Sequence, residues 1–266
     1  MSAPVATAQI ILRSRAGVAR IDLDVVPGVH RVELAHVNCY LLVDADGVTV
    51  VDAGLPAVWH PLRRALDAIG ARTADVRALV LTHAHFDHVG AAERLARSFG
   101  VPVLAHPGDH ALARSPYRYA HERPRSAYPL RSPRAVPILV DMVRAGALHV
   151  PGVRQLQPIA DGLELDLPGG PRVIATPGHT FGHCALHLPQ ADAVLTGDAL
   201  VTLDPYTAGV GPRIVAGTAT ADSALALRSL SAIAATRATT LLPGHGEPWR
   251  GRAEDAVAIA RRVGPS

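Results

Sequence analysis

The chain predicts a layered α/β fold, with mixed β-sheet covered by helices, and three observations predict it. Short apolar runs alternate with helix-length amphipathic segments from residue 48 to residue 105, the order that gives right-handed crossovers and a covered sheet. The run Val76 to Leu81 is apolar throughout, as a strand buried on both faces is. Glycines and prolines punctuate the chain at the ends of these runs, where turns are required.

Taken in order, residues 20–34 alternate apolar and polar positions around Pro27-Gly28, which predicts an edge hairpin. Val37 to Val43 and Val48 to Asp52 are two strands joined at Asp46-Gly47. A helix is expected over 57–69, stopped by Gly70, and a second over 89–98, stopped by Gly100. Val101 to Ala105 returns as a strand. Residues 107–157 then break the rhythm, collecting Pro116, Pro124, Pro129, Pro133 and Pro137 with Arg114, Arg118, Arg123, Arg125, Arg131 and Arg134 and with Tyr117, Tyr119 and Tyr128. That stretch is too long for an ordinary loop in a compact domain and reads as an insertion: a solvated loop, a substrate lid, or a basic and aromatic surface for single-stranded nucleic acid. A helix is expected within it, over 136–147. Strands are expected at 153–159, 163–167, 172–175, 184–188 and 193–195, then a helix at 220–235, a strand at 239–242 and a last amphipathic helix at 252–263.

Composition bounds the class. The 266 residues suit one layered domain, 1–266, carrying the insertion, and 48% hydrophobic with 18% charged residues is a globular balance. No run approaches a membrane span, and the first residues lack a secretory pattern, so the cytoplasm is the expected location. All 26 basic residues are Arg, so any anion clamp must be made by Arg. A net charge of +3 is too small to point to nucleic acid. Cys39 and Cys184 each fall inside an expected strand and read as buried structural thiols. A small molecule is the expected partner; the apolar segments around 136–148 are compatible with a homo-oligomer.

Chemistry concentrates where strands end. Thr82-His83-Ala84-His85-Phe86-Asp87-His88 puts three imidazoles and a carboxylate directly after the Val76 to Leu81 run. His83 and His85 share a side while the backbone is extended; Asp87 and His88 follow where it turns into a helix. One pair can serve one ion and the other a second. His179, Asp198 and His245 each follow another apolar run and sit beside glycine. Seven ligands exceed the needs of one four- or five-coordinate ion and suit two, with one bridging carboxylate; Asp198, away from the cluster, is the candidate. Imidazole and carboxylate suit zinc, iron or manganese. Asp52, ending its strand, is either a turn or helix-capping residue or a group orienting a ligand histidine. His106 and His110 are left outside the metal shell.

These motifs, with Val37-Asn38-Cys39-Tyr40, Val51-Asp52-Ala53-Gly54, Thr176-Pro177-Gly178-His179-Thr180-Phe181-Gly182-His183, Thr196-Gly197-Asp198-Ala199 and Pro243-Gly244-His245-Gly246 in this order, resemble the metallo-β-lactamase fold superfamily. The resemblance spans most of the chain. It implies an αβ/βα sandwich of two mixed sheets with helices outside and the site at one sheet edge. It implies that His83, His85 and His179 hold one metal, that Asp87, His88 and His245 hold the other, and that Asp198 and a hydroxide bridge two zinc ions. It places Asp52 behind the metal loop and His183 either behind the ligands or facing substrate. The implied activity is hydrolysis of an ester, lactone, thioester or amide, with Asp87 passing a proton to the leaving group. True β-lactamases of the superfamily carry Cys or Ser where Asp198 stands, and glyoxalase II enzymes use Lys for glutathione, which this chain lacks. Quorum-quenching lactonases place a Tyr soon after the bridging Asp; Tyr206 lies a few residues further on. The alternatives are a mononuclear iron sulfur dioxygenase-like oxidoreductase and a metal-dependent phosphodiesterase.

Overall fold

The computed structural model describes residues 8–124 and 131–266. Arg125, Tyr128 and Pro129 of the insertion lie outside the described residues. The first sheet runs in chain order: β1 (Gln9–Ser14), β2 (Gly17–Val26), β3 (Val29–Leu34), β4 (Val37–Asp44), β5 (Gly47–Val51), β6 (Val76–Val80), β7 (Val103–Ala105) and β8 (Gln157–Pro158). Pairing is antiparallel from β1 to β5 and parallel from β5 to β8. The expected hairpin around Pro27-Gly28 is β2–β3, but β1 pairs with β2 and forms the sheet edge in its place. The second sheet contains β9 (Arg172–Ala175), β10 (Cys184–Leu188), β11 (Ala193–Gly197), β14 (Thr240–Pro243) and β15 (Trp249–Arg250), in the order β15-β14-β11-β10-β9. A separate hairpin, β12 (Val201–Asp204) with β13 (Gly209–Arg213), is not expected from the chain's pattern.

Helices cover the outer faces: α1 (Trp59–Ala68), α2 (Phe86–Val89), α3 (Ala92–Phe99), α4 (His110–Arg114), α5 (Val136–Arg144), α6 (Ser223–Ala235) and α7 (Ala253–Val263). Period-2 alternation explains the layering. In β6, Leu79 packs with Leu62 and Leu66 of α1 and Leu95 of α3, while Ala78 and Val80 point the other way to meet Val173, Cys184, Leu186 and Leu195 of the second sheet. The far side of the second sheet is covered by Leu230 and Ile233 of α6 and by Ala256, Val257 and Ala260 of α7. Helices, sheet, sheet, helices is the expected four-layer sandwich. Cys39 and Cys184 are buried free thiols. Among the described residues no helix is long and apolar enough to cross a membrane.

Two expectations need correction. The helix expected at 89–98 is split, because Gly90 and Ala91 donate their backbone N–H groups to Gly54 and Ala53 rather than along a helix. A Cβ on Gly90 would sit 2.4 Å from the Gly54 carbonyl, so the loop after β5 packs backbone to backbone against this corner. The strands expected at 153–159 and 163–167 reduce to β8 and one isolated bridge between Glu164 and Arg172. That segment carries the chain from one sheet to the other, and Pro158, Pro168 and Pro171 cannot donate to a ladder.

The insertion is not a solvated loop throughout. Ala113, Tyr119, Ala135, Ile138 and Met142 are buried, and the Tyr117 hydroxyl donates to the Ala147 carbonyl and accepts from the Val150 N–H. On α5, Val136, Val140 and Val143 are left exposed.

Candidate metal centre

Four strand ends meet at one edge of the sandwich. β6 delivers His83, His85 and, through α2, Asp87 and His88; β9 leads to His179, β11 to Asp198 and β14 to His245. Side-chain atoms of His83, His85 and His179 lie within 4.8 Å of one another, as do those of Asp87, His88 and His245, and those of His83, His88 and Asp198. Asp198 lies between the first two groups: its Oδ2 is 3.5 Å from His179 Nε2 and 3.2 Å from His245 Nε2, and its Oδ1 is 3.5 Å from His88 Nε2. Asp87 Oδ2 is 3.4 Å from His245 Nε2. Every one of the seven is buried.

Hydrogen bonds on the far side of the His83, His88, His179 and His245 rings fix their orientation. His88 Nδ1 meets Asp52 Oδ2 at 2.9 Å, and His245 Nδ1 donates to the His36 carbonyl at 2.7 Å. Thr82 Oγ1 donates to Asp52 Oδ2 and is 3.1 Å from His83 Nδ1; Thr220 Oγ1 donates to the Val215 carbonyl and is 3.3 Å from His179 Nδ1. Each hydroxyl, its proton committed elsewhere, accepts from the ring's Nδ1–H and turns the Nε2 lone pair inward. Nε2 of His83, His88, His179 and His245 and Oδ1 of Asp198 are buried without a hydrogen bond among the described residues. Orphaned acceptors converging in one buried spot are costly unless a cation satisfies them, so the residues fit the two divalent ions that their number suggested.

Electrostatics divides the centre. Burial and the neighbouring imidazoles push His83 and His179 well below the ordinary histidine value. At His88 burial acts the same way but is outweighed by Asp198 and Asp52, which push it up to about 9; at His245 Asp198 and Asp87 also outweigh burial, and its value is raised well. The partners reflect this: Asp198 is held well below the usual carboxylate range by His245 and His88 against the opposing effect of burial.

Asp52 caps no helix; its left-handed backbone (φ 58°) turns the chain after β5, and its carboxylate accepts the Thr82 N–H and hydroxyl besides meeting His88. Aspartate tolerates that conformation better than most residues. His183 is buried, with both ring nitrogens engaged. Its Nδ1 lies 2.8 Å from Thr176 Oγ1 and its Nε2 accepts the backbone N–H groups of Asp198 and Ala199, so it braces the Asp198 turn from behind. Burial drives it down to about 3, which keeps it the neutral acceptor this role needs. Burial above all, then Tyr119, to which its hydroxyl is hydrogen-bonded, and the charges of Asp87 and Asp198 raise the Tyr206 value well above the ordinary one. Glycine at 244 makes room for a carboxylate: a Cβ there would stand 2.2 Å from Asp198 Oδ1. His106 and His110 bond locally, to the Gly108 N–H and the Ala105 carbonyl.

Sequence reasoning missed Asp109. It is buried in the insertion just after β7, and its carboxylate accepts from the Ala84 N–H (2.9 Å), the Thr180 hydroxyl (2.8 Å) and the Gly182 N–H (2.9 Å). It therefore ties the loop of His83 and His85 to the loop of His179. A carboxylate shortly after a strand end was the available signal, masked by the flanking His106 and His110. Tyr119, whose ring centroid is 4.4 Å from that of His85, stands out in the sequence only as part of a basic and aromatic stretch. A cavity of about 770 Å³ beyond Gly246 is lined by none of the seven; of its charged residues, His36 pairs with Asp141 and Arg20 with Glu247, and Glu33 accepts the His36 backbone N–H.

An edge-of-sheet centre of five imidazoles and two carboxylates inside an αβ/βα sandwich defines a class of metal-binding protein. The family model of the metallo-beta-lactamase superfamily matches residues 32–245, and the chain belongs to that superfamily. It is 27% identical to the probable metallo-hydrolase YflN of Bacillus subtilis over 95% of each chain. It is 32% identical to the uncharacterized protein Rv2581c of Mycobacterium tuberculosis over 86% of this chain and 91% of that one. Among solved structures, the metallo-beta-lactamase family protein TTHA1429 of Thermus thermophilus superposes with a TM-score of 0.60 at 28% identity, covering 90% of this chain and 80% of that one. TTHA1623, solved in a di-iron-bound form, gives 0.56 at 27% identity, covering 86% and 94%.

Proposed function

We propose that this protein is a dinuclear metal-dependent hydrolase that cleaves a carbonyl substrate: an ester, lactone, thioester or amide. The observation that carries the reading is the placement of Asp198 between two ligand groups, His83/His85/His179 and Asp87/His88/His245. A probable metallo-hydrolase matched over nearly its whole length supports it. Two divalent ions, zinc or alternatively iron or manganese, would supply a water acidic enough to attack near neutral pH and a Lewis acid for the carbonyl oxygen.

The chain's own residues do the rest. Asp52, Thr82 and Thr220 hold the ligand rings in one tautomer, so the cage needs little rearrangement on loading. Asp87 Oδ2, buried beside His245, is placed to take the proton of the attacking water and return it to the leaving group. The Tyr206–Tyr119 hydroxyl pair, near enough to Asp87 and Asp198 to feel their charges, would offer a donor to the substrate oxygen. The cytoplasm, and a small-molecule substrate without nucleic acid, remain part of this reading.

Metal analysis of protein purified without added metal, with a panel of lactones, thioesters and phosphodiesters, tests it. Two ions per chain and turnover of carbonyl substrates are expected. One iron per chain with oxygen consumption, or turnover of phosphodiesters alone, overturns it. Asp87→Asn at full metal content is expected to lose about 100-fold or more in kcat, the usual size of a general acid–base contribution; undiminished turnover removes Asp87 from that role.

A further inference from the structure

On its His179 side the metal centre opens into a recess of about 340 Å³, small for a ligand pocket. Its walls come from two places: Leu112, Ser115, Arg118 and Tyr119 of the insertion, and Phe181 on the His179 loop. Phe181 is 58% exposed, a large apolar ring left facing the opening. Besides the ligand His179, two charged groups line the recess, Asp109 and Arg118. Asp109 has both oxygens committed to the Ala84, Thr180 and Gly182 donors and is closed to a ligand. Arg118 is different. It is the arginine that lines this recess, and its guanidinium is solvent-facing with no ion-pair or hydrogen-bond partner among the described residues. The undescribed residues 1–7 and 125–130 contain no Asp or Glu that could serve it.

We propose that this recess is the acyl subsite of the hydrolase suggested above, and that Arg118 selects substrates bearing a second carboxylate remote from the scissile carbonyl: monoesters or monothioesters of small dicarboxylic acids. The proposal rests on the hydrolase reading for the words acyl and scissile, but not for the binding preference itself. A single cationic fork matches a monoanionic, planar carboxylate; a phosphate dianion would bring a second negative charge toward Asp109 with nothing to neutralise it. Leu112, Tyr119 and Phe181, which line the recess together with His179 and Arg118, suit the methylenes joining two carboxyl groups. The limited volume excludes bulky acyl chains.

The test has a binding arm and a kinetic arm, both on the full chain with its metal. In calorimetry, glutarate is expected to bind about tenfold or more tightly than butyrate, which carries the same length of chain and only one carboxylate. Arg118→Ala should remove that preference and leave butyrate binding unchanged, and Arg118→Lys should restore part of it. For hydrolysis, mono-4-nitrophenyl glutarate is compared with 4-nitrophenyl butyrate: Arg118→Ala should raise KM for the anionic ester by about tenfold or more, with kcat within about twofold and the neutral ester unaffected. No preference for glutarate in the wild-type protein, equal losses on both ligands, or tighter binding of 4-phosphonobutyrate than of glutarate overturns the proposal. If neither ester is cleaved the hydrolase reading fails, while the calorimetry still decides whether Arg118 is a carboxylate site.

Discussion

The two halves of the metal centre share Asp198 but differ in kind. His83, His85 and His179 form an all-imidazole half: burial and the neighbouring imidazoles leave His83 and His179 disinclined to hold protons. Asp87, His88 and His245 form a half rich in negative charge, with Asp52 behind His88, so that His88 and His245 hold protons until something more positive displaces them. One half is ready for a cation at neutral pH. The other must first give up protons, because a metal-ligating imidazole is unprotonated.

The largest expected effect breaks the comparison at its shared member. Asp198→Asn keeps the shape but removes the charge both halves use; metal content by elemental analysis should fall from two ions to one or fewer, with turnover reduced by about 1,000-fold or more, since bridging carboxylates serve both ions at once. Retention of two ions would mean the halves are independent.

The next effect sharpens the contrast through pH. His88 titrates near 9 in the metal-free protein, against an ordinary 6.5. Its ion pairs with Asp52 and Asp198 therefore stabilise the metal-free fold fully below about 6.5, and that contribution is lost as the pH rises through about 9. Metal competes with the protons of His88 and His245, so the affinity of the Asp87/His88/His245 half should rise by about tenfold or more per pH unit between 7 and 9, with protons released in calorimetry in buffers of different ionisation enthalpy. The His83/His85/His179 half should show little change over the same range. Equal pH dependence of the two binding steps would contradict the division.

The smallest effect concerns Asp109, which ties together only the all-imidazole half. Asp109→Asn faces three donors with one oxygen in place of two and should cost about 2–3 kcal/mol of stability, measured by denaturant unfolding of metal-free protein. Its metal loss should fall on the first half, with the second ion retained.

Much of this was legible along the chain because strands and metal ligands are both short-range signals. The apolar runs marked β4, β5, β6 and β10, and the residues just after β6, β9, β11 and β14 marked the ligands, since a strand end is where a side chain can be presented without breaking a ladder. The hairpin of β12 and β13 and the outer strand β1 escaped, because Gly209, Gly211 and Pro212 dilute the pattern in one and a largely exposed strand shows little periodic burial in the other. Asp109 could not be assigned from its neighbours, since all three of its partners are 25 or more residues away.

By itself the sequence determined which residues could bind metal, their number, and the α/β layering that brings strand ends to one edge: residue chemistry and periodicity are local properties. Tertiary structure alone decided the distances at which the candidate ligands meet, that His183 holds the Asp198 turn from behind through both ring nitrogens, and that Arg118, lining the recess beside them, has no partner among the described residues. Those depend on distances between segments far apart in the chain, which packing of the two sheets sets and no local pattern encodes.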